Sequence, residues 1–590
     1  MSSIKVKDFF NGKFFEIPKY QRGYAWDTQN IRDLFDDITE SIESNSNHYI
    51  GTIVLSKDQY DEEKFHVVDG QQRITTISMI IKALVSQLAT DDRAYYERFY
   101  LKEGDRVRLT PLNRDREYFI NLMNPMNLGG TEPKSKSQRA LFAAISEIKL
   151  CIGQIPDKLA FLKCVEKLEI MQFVENSEGD AIRIFQTVND RGKLLSNMEK
   201  AKSLLIYFSN RYLNKKLDDE INDQFSKIFE IYDDIKIVGE RLNVALIKNK
   251  DFDEDSIMRY HFVTFSNENY DPTASYVLKH IKTRLTQLRS GANGDYSGIE
   301  SFIGIYVHSL GTFFSSLRDL LNRSERIARY YKLFSILQLS ATLYPLLVRL
   351  ETLNLLDEPI PSSEPTRATF LDLLELVDVR IYKTRGTDPK ADIARFTYEV
   401  SKKSKDEIKS WLLWFNNRWM SKEEFQAALT SNIYPNRSLN HMFINYCEEI
   451  NGNEFSIDEL KDISGLNPNI EHILSQTPNF DPIAFGFADE EDYINHEHRI
   501  GNLSILERSH NSSVQNKAAV DKVDTYDHSF FVVMKEVSTQ IYTKRGFTKA
   551  DILERTQRLS NYCASRWWAE IGTTRYLASR DDLESESLQE

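Results

Sequence analysis

The chain has 590 residues, of which 41% are hydrophobic and 28% charged, with only 23 glycines and 15 prolines; this excludes a disordered, collagenous or low-complexity chain and leaves room for several domains with large cores. Its 75 basic and 88 acidic residues give a net charge of −13, which excludes a uniformly basic nucleic-acid coat protein but not a local basic cleft. Cys151, Cys164, Cys447 and Cys563 are scattered without a CxxC pair, against a zinc–thiolate site or a disulfide framework and in keeping with a reducing cytoplasm.

Met1–Phe10 contains Lys5 and Lys7 but no apolar run, so no signal peptide is expected. Phe14–Ile17 is a predicted strand, stopped by Pro18. Asp27 or Thr28 then caps a helix that carries Ile31, Leu34, Phe35 and Ile38 on one face. Tyr49–Leu55, rich in β-branched residues, and Phe65–Val68 read as strands. Gly70 marks a sharp turn, and Ile74, Ile77, Ile80, Ile81 and Leu84 follow at helical spacing. This first unit is therefore α/β. From about residue 85 to 450 the pattern is mostly helical, with Ser196 and Glu199 forming a capping box. The most apolar stretches, Phe302–Leu321 and Leu337–Leu356, are interrupted by His308, Arg318, Arg349 and Glu351, so neither supplies the roughly 20 apolar residues of a membrane helix. Near residue 450 the texture changes. Asn451, Gly452 and Asn453 make a turn, Ser456 and Glu459 a second capping box, and five of the 11 histidines fall within 472–528. Asp581, Asp582, Glu584, Glu586 and Glu590 mark a solvated acidic tail.

Two constellations carry chemistry. In the first, the strand Phe65–Val68 runs into Asp69 and Gly70, and Gln71, Gln72 and Arg73 open a helix. The free N–H groups of a helix N-terminus attract anions. Gly70 permits close approach of a ligand, Arg73 supplies a bidentate fork, Gln71 and Gln72 donate without charge, and Asp69 can hold a metal ion or position a water. The set suits a phosphate ester, most simply a nucleotide. Spacing alone serves equally well for an ordinary strand–turn–helix with capping polar residues. Upstream, Gln21 and Arg22 add phosphate donors, while Tyr20, Tyr24 and Trp26 offer stacking faces for nucleic acid or pack on their own domain.

The string IPKYQRGYAW at Ile17–Trp26, LFDDI at Leu34–Ile38, HYIGTIVL at His48–Leu55 and VVDGQQR at Val67–Arg73 together resemble the N-terminal domain of the GmrSD family, within the ParB/sulfiredoxin-like group. FQTVNDRGKLLS at Phe185–Ser196 resembles that family's FxxxNxRGxxLS motif, in which Asn189, Arg191 and Lys193 form a second anion-friendly element. The resemblance implies binding and hydrolysis of a nucleoside triphosphate, GTP or ATP, with Asp69 catalytic, and a link to sensing DNA modification.

In the second constellation, Ile470-Glu471-His472-Ile473-Leu474 precedes Arg499-Ile500-Gly501-Asn502-Leu503-Ser504-Ile505-Leu506, then His510, Asn511, Asn516 and Lys517. A carboxylate beside a histidine, with an asparagine well downstream, suits one-metal phosphodiester cleavage. Glu471 and Asn511 offer hard oxygen ligands for Mg²⁺ or Mn²⁺, and a near-surface His472 would deprotonate the attacking water. A histidine beside a glutamate is also a common structural pair. The pattern resembles the C-terminal domain of the same family, an HNH-type ββα-metal nuclease. The resemblance implies Glu471 as the acidic ligand, His472 as general base, Asn511 as the metal-holding asparagine, and Asn502, Asn516 and Lys517 as supporting residues. The family commonly reads EHIxPQ, whereas Pro478 is displaced here, so the exit of the first strand is open. Whether Asn511 or Asn516 is the ligand also stays open. His496, His498 and His510 compete for metal, though each reads more simply as a loop histidine.

The expected fold class is α+β, predominantly helical. It comprises a ParB-like α/β domain at 1–205, a helical connecting region at 206–450, an HNH-like domain at 451–575 and the acidic tail at 576–590. The expected activity is nucleotide-regulated endonucleolytic restriction of modified phage DNA in the cytoplasm, away from membranes, with a homodimer left open. The alternative is a nucleotide-gated sensor of DNA modification, such as phosphorothioate, that nicks DNA or acts through a separate effector.

Overall fold

The computed structural model describes residues 2–567 apart from 19–20, 22, 44–48, 112, 124–131, 177–180, 182–195, 293, 363–367 and 478–479. The chain forms two compact units, Met1–Asp233 with Ala274–Gly311, and Asp234–Thr273 with Thr312–Glu590. It is α+β and predominantly helical, as the sequence predicts. Among the described residues no helix is long and apolar enough to cross a membrane.

The first unit is built on a six-stranded mixed sheet. Its strands are β1 (Ser2–Lys5), β2 (Phe14–Glu16), β3 (Tyr49–Lys57), β4 (Lys64–Asp69), β5 (Leu109–Thr110) and β6 (Glu169–Glu175), in the order β1-β6-β3-β4-β2-β5. β3 runs parallel to β6 and antiparallel to β4; β2 runs parallel to both β4 and β5. The predicted strands around Phe15, Ile53 and Val67 are therefore neighbours at the sheet centre. Ile53, Val54 and Leu55 are buried in succession, because a central strand covered on both faces reads as a continuous apolar run.

Helices α1 (Thr28–Glu43) and α2 (Gln71–Val85) both pack on α3 (Lys136–Gly153), and α4 (Lys158–Lys167) joins them. α2 buries nearly every side chain from Ile74 to Val85, the mark of a helix at the centre of a domain rather than on its surface. Phe9 stacks on Phe15 at 4.6 Å between ring centroids, closing the core beneath the sheet. The capping box at Ser196 and Glu199 opens the helix Asn197–Tyr212 as predicted.

Among the described residues the second unit is helical except for one small sheet and two isolated β-bridges. The predicted box at Ser456 and Glu459 caps the helix Ile457–Gly465. β7 (Asn469–His472) then pairs antiparallel with β8 (Leu503–Leu506), placing Leu503 opposite His472 and Ser504 opposite Glu471. Four helices follow: α5 (Arg508–Val514), α6 (Ala519–Asp527), the helix Val532–Lys544, and α7 (Lys549–Arg566). All four β8 side chains are buried. The Arg555 guanidinium, itself buried in α7, donates to the carbonyls of Gly501 at 2.9 Å and Leu503 at 2.5 Å. A buried arginine thereby answers carbonyls at the entry of β8 that would otherwise lie unsatisfied away from water.

Candidate functional site

Asp69 ends β4, and Gly70 turns the chain into α2 with φ +88°. A Cβ at Gly70 would stand 2.7 Å from Ile53 Cγ1, so both the backbone conformation and the packing require glycine. Gly70 stands at the N-cap of α2 and has no side chain with which to cap it. The upstream motif is sewn to this turn. Gln21 Nε2 donates to Val68 O at 2.5 Å; Gln72 accepts the Ala25 N–H at 2.8 Å and donates to Gly23 O at 3.2 Å. The two sequence motifs therefore meet at the start of α2. Gln71 and Gln72 are buried, and Arg73 donates to Thr52 O at 3.1 Å while lying against Gly51.

Tyr24 does not offer a free stacking face. It is buried, and its hydroxyl shares a 2.7 Å hydrogen bond with Thr76 Oγ1. Trp26 is half-buried against the core of the unit. Tyr20, Arg22, Asn189, Arg191 and Lys193, together with Pro478 and the acidic tail, lie outside the described residues.

At the second constellation, strand geometry separates the Glu471–His472 pair. Successive side chains of a strand point to opposite faces. Glu471 faces α6, where its carboxylate accepts from Lys522 Nζ at 2.7 Å and Tyr526 Oη at 2.6 Å. Burial pushes the Glu471 carboxyl up, opposed by Lys522; burial pushes the Lys522 ammonium down, opposed by Glu471. His472 faces the other way. Its Nε2 lies 3.1 Å from His498 Nδ1, and the Tyr434 ring meets it edge-on at 4.9 Å. It retains only 8% exposure, so the near-surface position expected from sequence is replaced by a packed one. Burial, then the nearby His498 and Lys522, lowers its pKa to about 3, leaving a neutral imidazole at physiological pH.

Asn502 is the tie of the motif. Fully buried, it accepts the Leu474 N–H at 2.9 Å and donates to Leu474 O at 3.0 Å and Glu497 O at 2.8 Å. With Tyr493 donating to Ser475 O at 2.6 Å, it fixes the exit of β7, the point that the displaced proline leaves open in the sequence. Gly501 supports the same turn from behind. A Cβ there would stand 2.0 Å from Ile552 O in α7, and the Gly501 N–H donates to Thr556 Oγ1 at 3.1 Å. Gly501→Ala is therefore expected to cost about 1–3 kcal/mol through overpacking, read as a lower midpoint in chemical unfolding.

Asn511 sits on α5, half-buried, and its Nδ2 donates to Ile470 O at 3.3 Å, which turns its amide oxygen away from that carbonyl. Asn516 is exposed, and Lys517 contributes its carbonyl to Ser475 Oγ at 3.2 Å. Of the competing histidines, His496 is bonded to its own helix through Asp492 O at 2.7 Å, and His510 lies 3.3 Å from Glu507. Only His498 of the three is paired with His472. Local sequence gives no sign of Tyr434, Lys522 or Tyr526, which reach the site from 38 to 55 residues away. His498 was visible as one of the histidines preceding the GNL turn, but not its direction.

Comparison with known families gives two matches. The model described as the GmrSD restriction endonuclease N-terminal domain matches residues 6–206, and that described as the C-terminal domain of GmrSD restriction endonucleases matches residues 419–562. Each match encloses one of the two constellations, and together they cover more than half of the chain. No individual curated protein matches it.

Proposed function

Because the chain belongs to the GmrSD family of restriction endonucleases, we propose that it restricts modified foreign DNA, cutting at the ββα centre around His472 under control of a nucleoside triphosphate bound at the Asp69–Arg73 turn. The observation that carries this reading is the antiparallel pair β7·β8 followed by α5, with His472 on the first strand, Asn502 bracing the turn and Asn511 on the helix. Neutral His472 accepts a proton from the attacking water as the water oxygen bonds to phosphorus and the bond to the leaving sugar oxygen breaks.

A bound Mg²⁺ or Mn²⁺ would supply charge stabilisation at the leaving oxygen. Among the described residues no three His, Cys, Asp or Glu side chains converge on a metal position. The donor set instead fits an ion held by few protein oxygens together with water and the DNA phosphate, the habit of Mg²⁺ at phosphoester sites. Asn511 is the fitting protein ligand, in preference to exposed Asn516. Glu471 is already committed to Lys522 and Tyr526, and serves to anchor β7.

The N-terminus of α2, opened by Gly70 and carrying Arg73 in its first turn, supports triphosphate binding at the other site. Arg73→Ala is expected to remove a charge-assisted phosphate contact of about 1.5–3 kcal/mol, roughly ten- to a hundredfold in affinity by isothermal calorimetry. Equal nucleotide binding by wild type and variant would place the nucleotide elsewhere. The reading as a whole is tested by incubating purified protein and Mg²⁺ with modified and unmodified phage DNA, with and without nucleotide. Preferential, nucleotide-dependent cutting of the modified DNA is expected; equal cutting of both would remove modification from the proposal.

A further inference from the structure

His498 is held in place from several directions. Its carbonyl accepts the Ile433 N–H at 2.9 Å, the carbonyl of the preceding Glu497 accepts from Asn502, and its ring lies 5.3 Å from Tyr434 between centroids. Its two nitrogens face unlike neighbours. Nδ1 is 3.1 Å from His472 Nε2, and Nε2 is 3.2 Å from a Glu497 carboxylate oxygen.

These contacts decide where the protons sit. A carboxylate beside Nε2 favours the proton on that nitrogen, which leaves His498 Nδ1 as an acceptor. The hydrogen bond between the rings then needs the proton of His472 on Nε2, and His472 Nδ1 keeps its lone pair.

We propose that His498, backed by Glu497, is a positioning residue that fixes the tautomer and ring orientation of His472, so that Nδ1 of His472 is the nitrogen offered to water. This rests on the reading of His472 as the general base. When His472 takes a proton from water at Nδ1, its Nε2–H still donates to His498, and the Glu497 carboxylate stands behind to offset the new positive charge. A ring that served only to fill space against Tyr434 would need neither nitrogen.

The test uses the full-length protein with Mn²⁺ and modified phage DNA under single-turnover conditions. His498→Phe keeps an aromatic ring against Tyr434 but removes both nitrogens; it is expected to retain melting temperature and DNA affinity and to cleave about 10- to 100-fold more slowly, the usual effect of losing such a supporting partner. His498→Asn places an amide oxygen near the former Nδ1 and is expected to recover most of the rate. Wild-type cleavage by His498→Phe would overturn the assignment, as would equal slowing in both variants accompanied by a shared fall in melting temperature. His472→Gln is the control that separates the two readings. If it cleaves at full rate, the general-base reading itself fails; if it is inactive while His498→Phe is fully active, only the positioning role fails.

Discussion

Replacing His472 by Gln is expected to slow metal-dependent DNA cleavage by about 10²–10⁴-fold, the usual contribution of a positioned general base, with DNA binding unchanged. Gln is the informative substitution because the site is packed. His472 lies against Tyr434 and His498 with 8% exposure. Alanine would leave a void there and confuse a loss of chemistry with a loss of structure. Gln fills much of the space and can still bond to His498 Nδ1, but it cannot take a proton from water. The measurement is single-turnover cleavage of modified phage DNA, with circular dichroism to verify the fold. Undiminished cutting by the variant would remove His472 from the reaction.

The second large effect is on stability. Lys522→Met is expected to destabilise the second unit by about 3–5 kcal/mol, because it strands the Glu471 carboxylate in the interior without its counter-charge. Lys522 is fully buried, and it also donates to His472 O at 2.9 Å and Ile473 O at 3.3 Å. Glu471→Gln should also destabilise, by leaving the ammonium unpaired. The double variant should lose less than the two single changes summed, since the charge of each partner is a burden chiefly when the other is missing. A double-mutant cycle in chemical unfolding measures this coupling. The same variants discriminate a structural Glu471 from a metal ligand. Raising Mn²⁺ is expected to leave the stability loss untouched; full stability in Glu471→Gln with activity restored by excess Mn²⁺ would make Glu471 a ligand.

Much of the architecture was legible in the chain. The β-branched runs around Ile53 and Val67, the apolar helix after Gly70 and the capping boxes at Ser196 and Ser456 are written in residues close in sequence, and local stereochemistry executes them. The motifs that carry the family membership are local strings of the same kind. Period-two geometry also predicts that Glu471 and His472, adjacent in one strand, point to opposite faces, and their separate partners follow that alternation.

Other assignments required the folded chain. Lys522 meets Glu471 across 51 residues and Tyr526 across 55, and nothing in the local composition of α6 marks either as a partner. His498 and Tyr434 approach His472 from separate segments, so the apparent loop histidine becomes part of the site only when the turn braced by Asn502 closes. The requirement for Gly501 exists only because α7 presses its backbone against that turn. Sequence determined which residues carried usable chemistry and which local elements bore them. Tertiary structure decided which way those groups faced and what neutralised them, because facing and neutralisation arise from contacts between segments brought together by burial of the core.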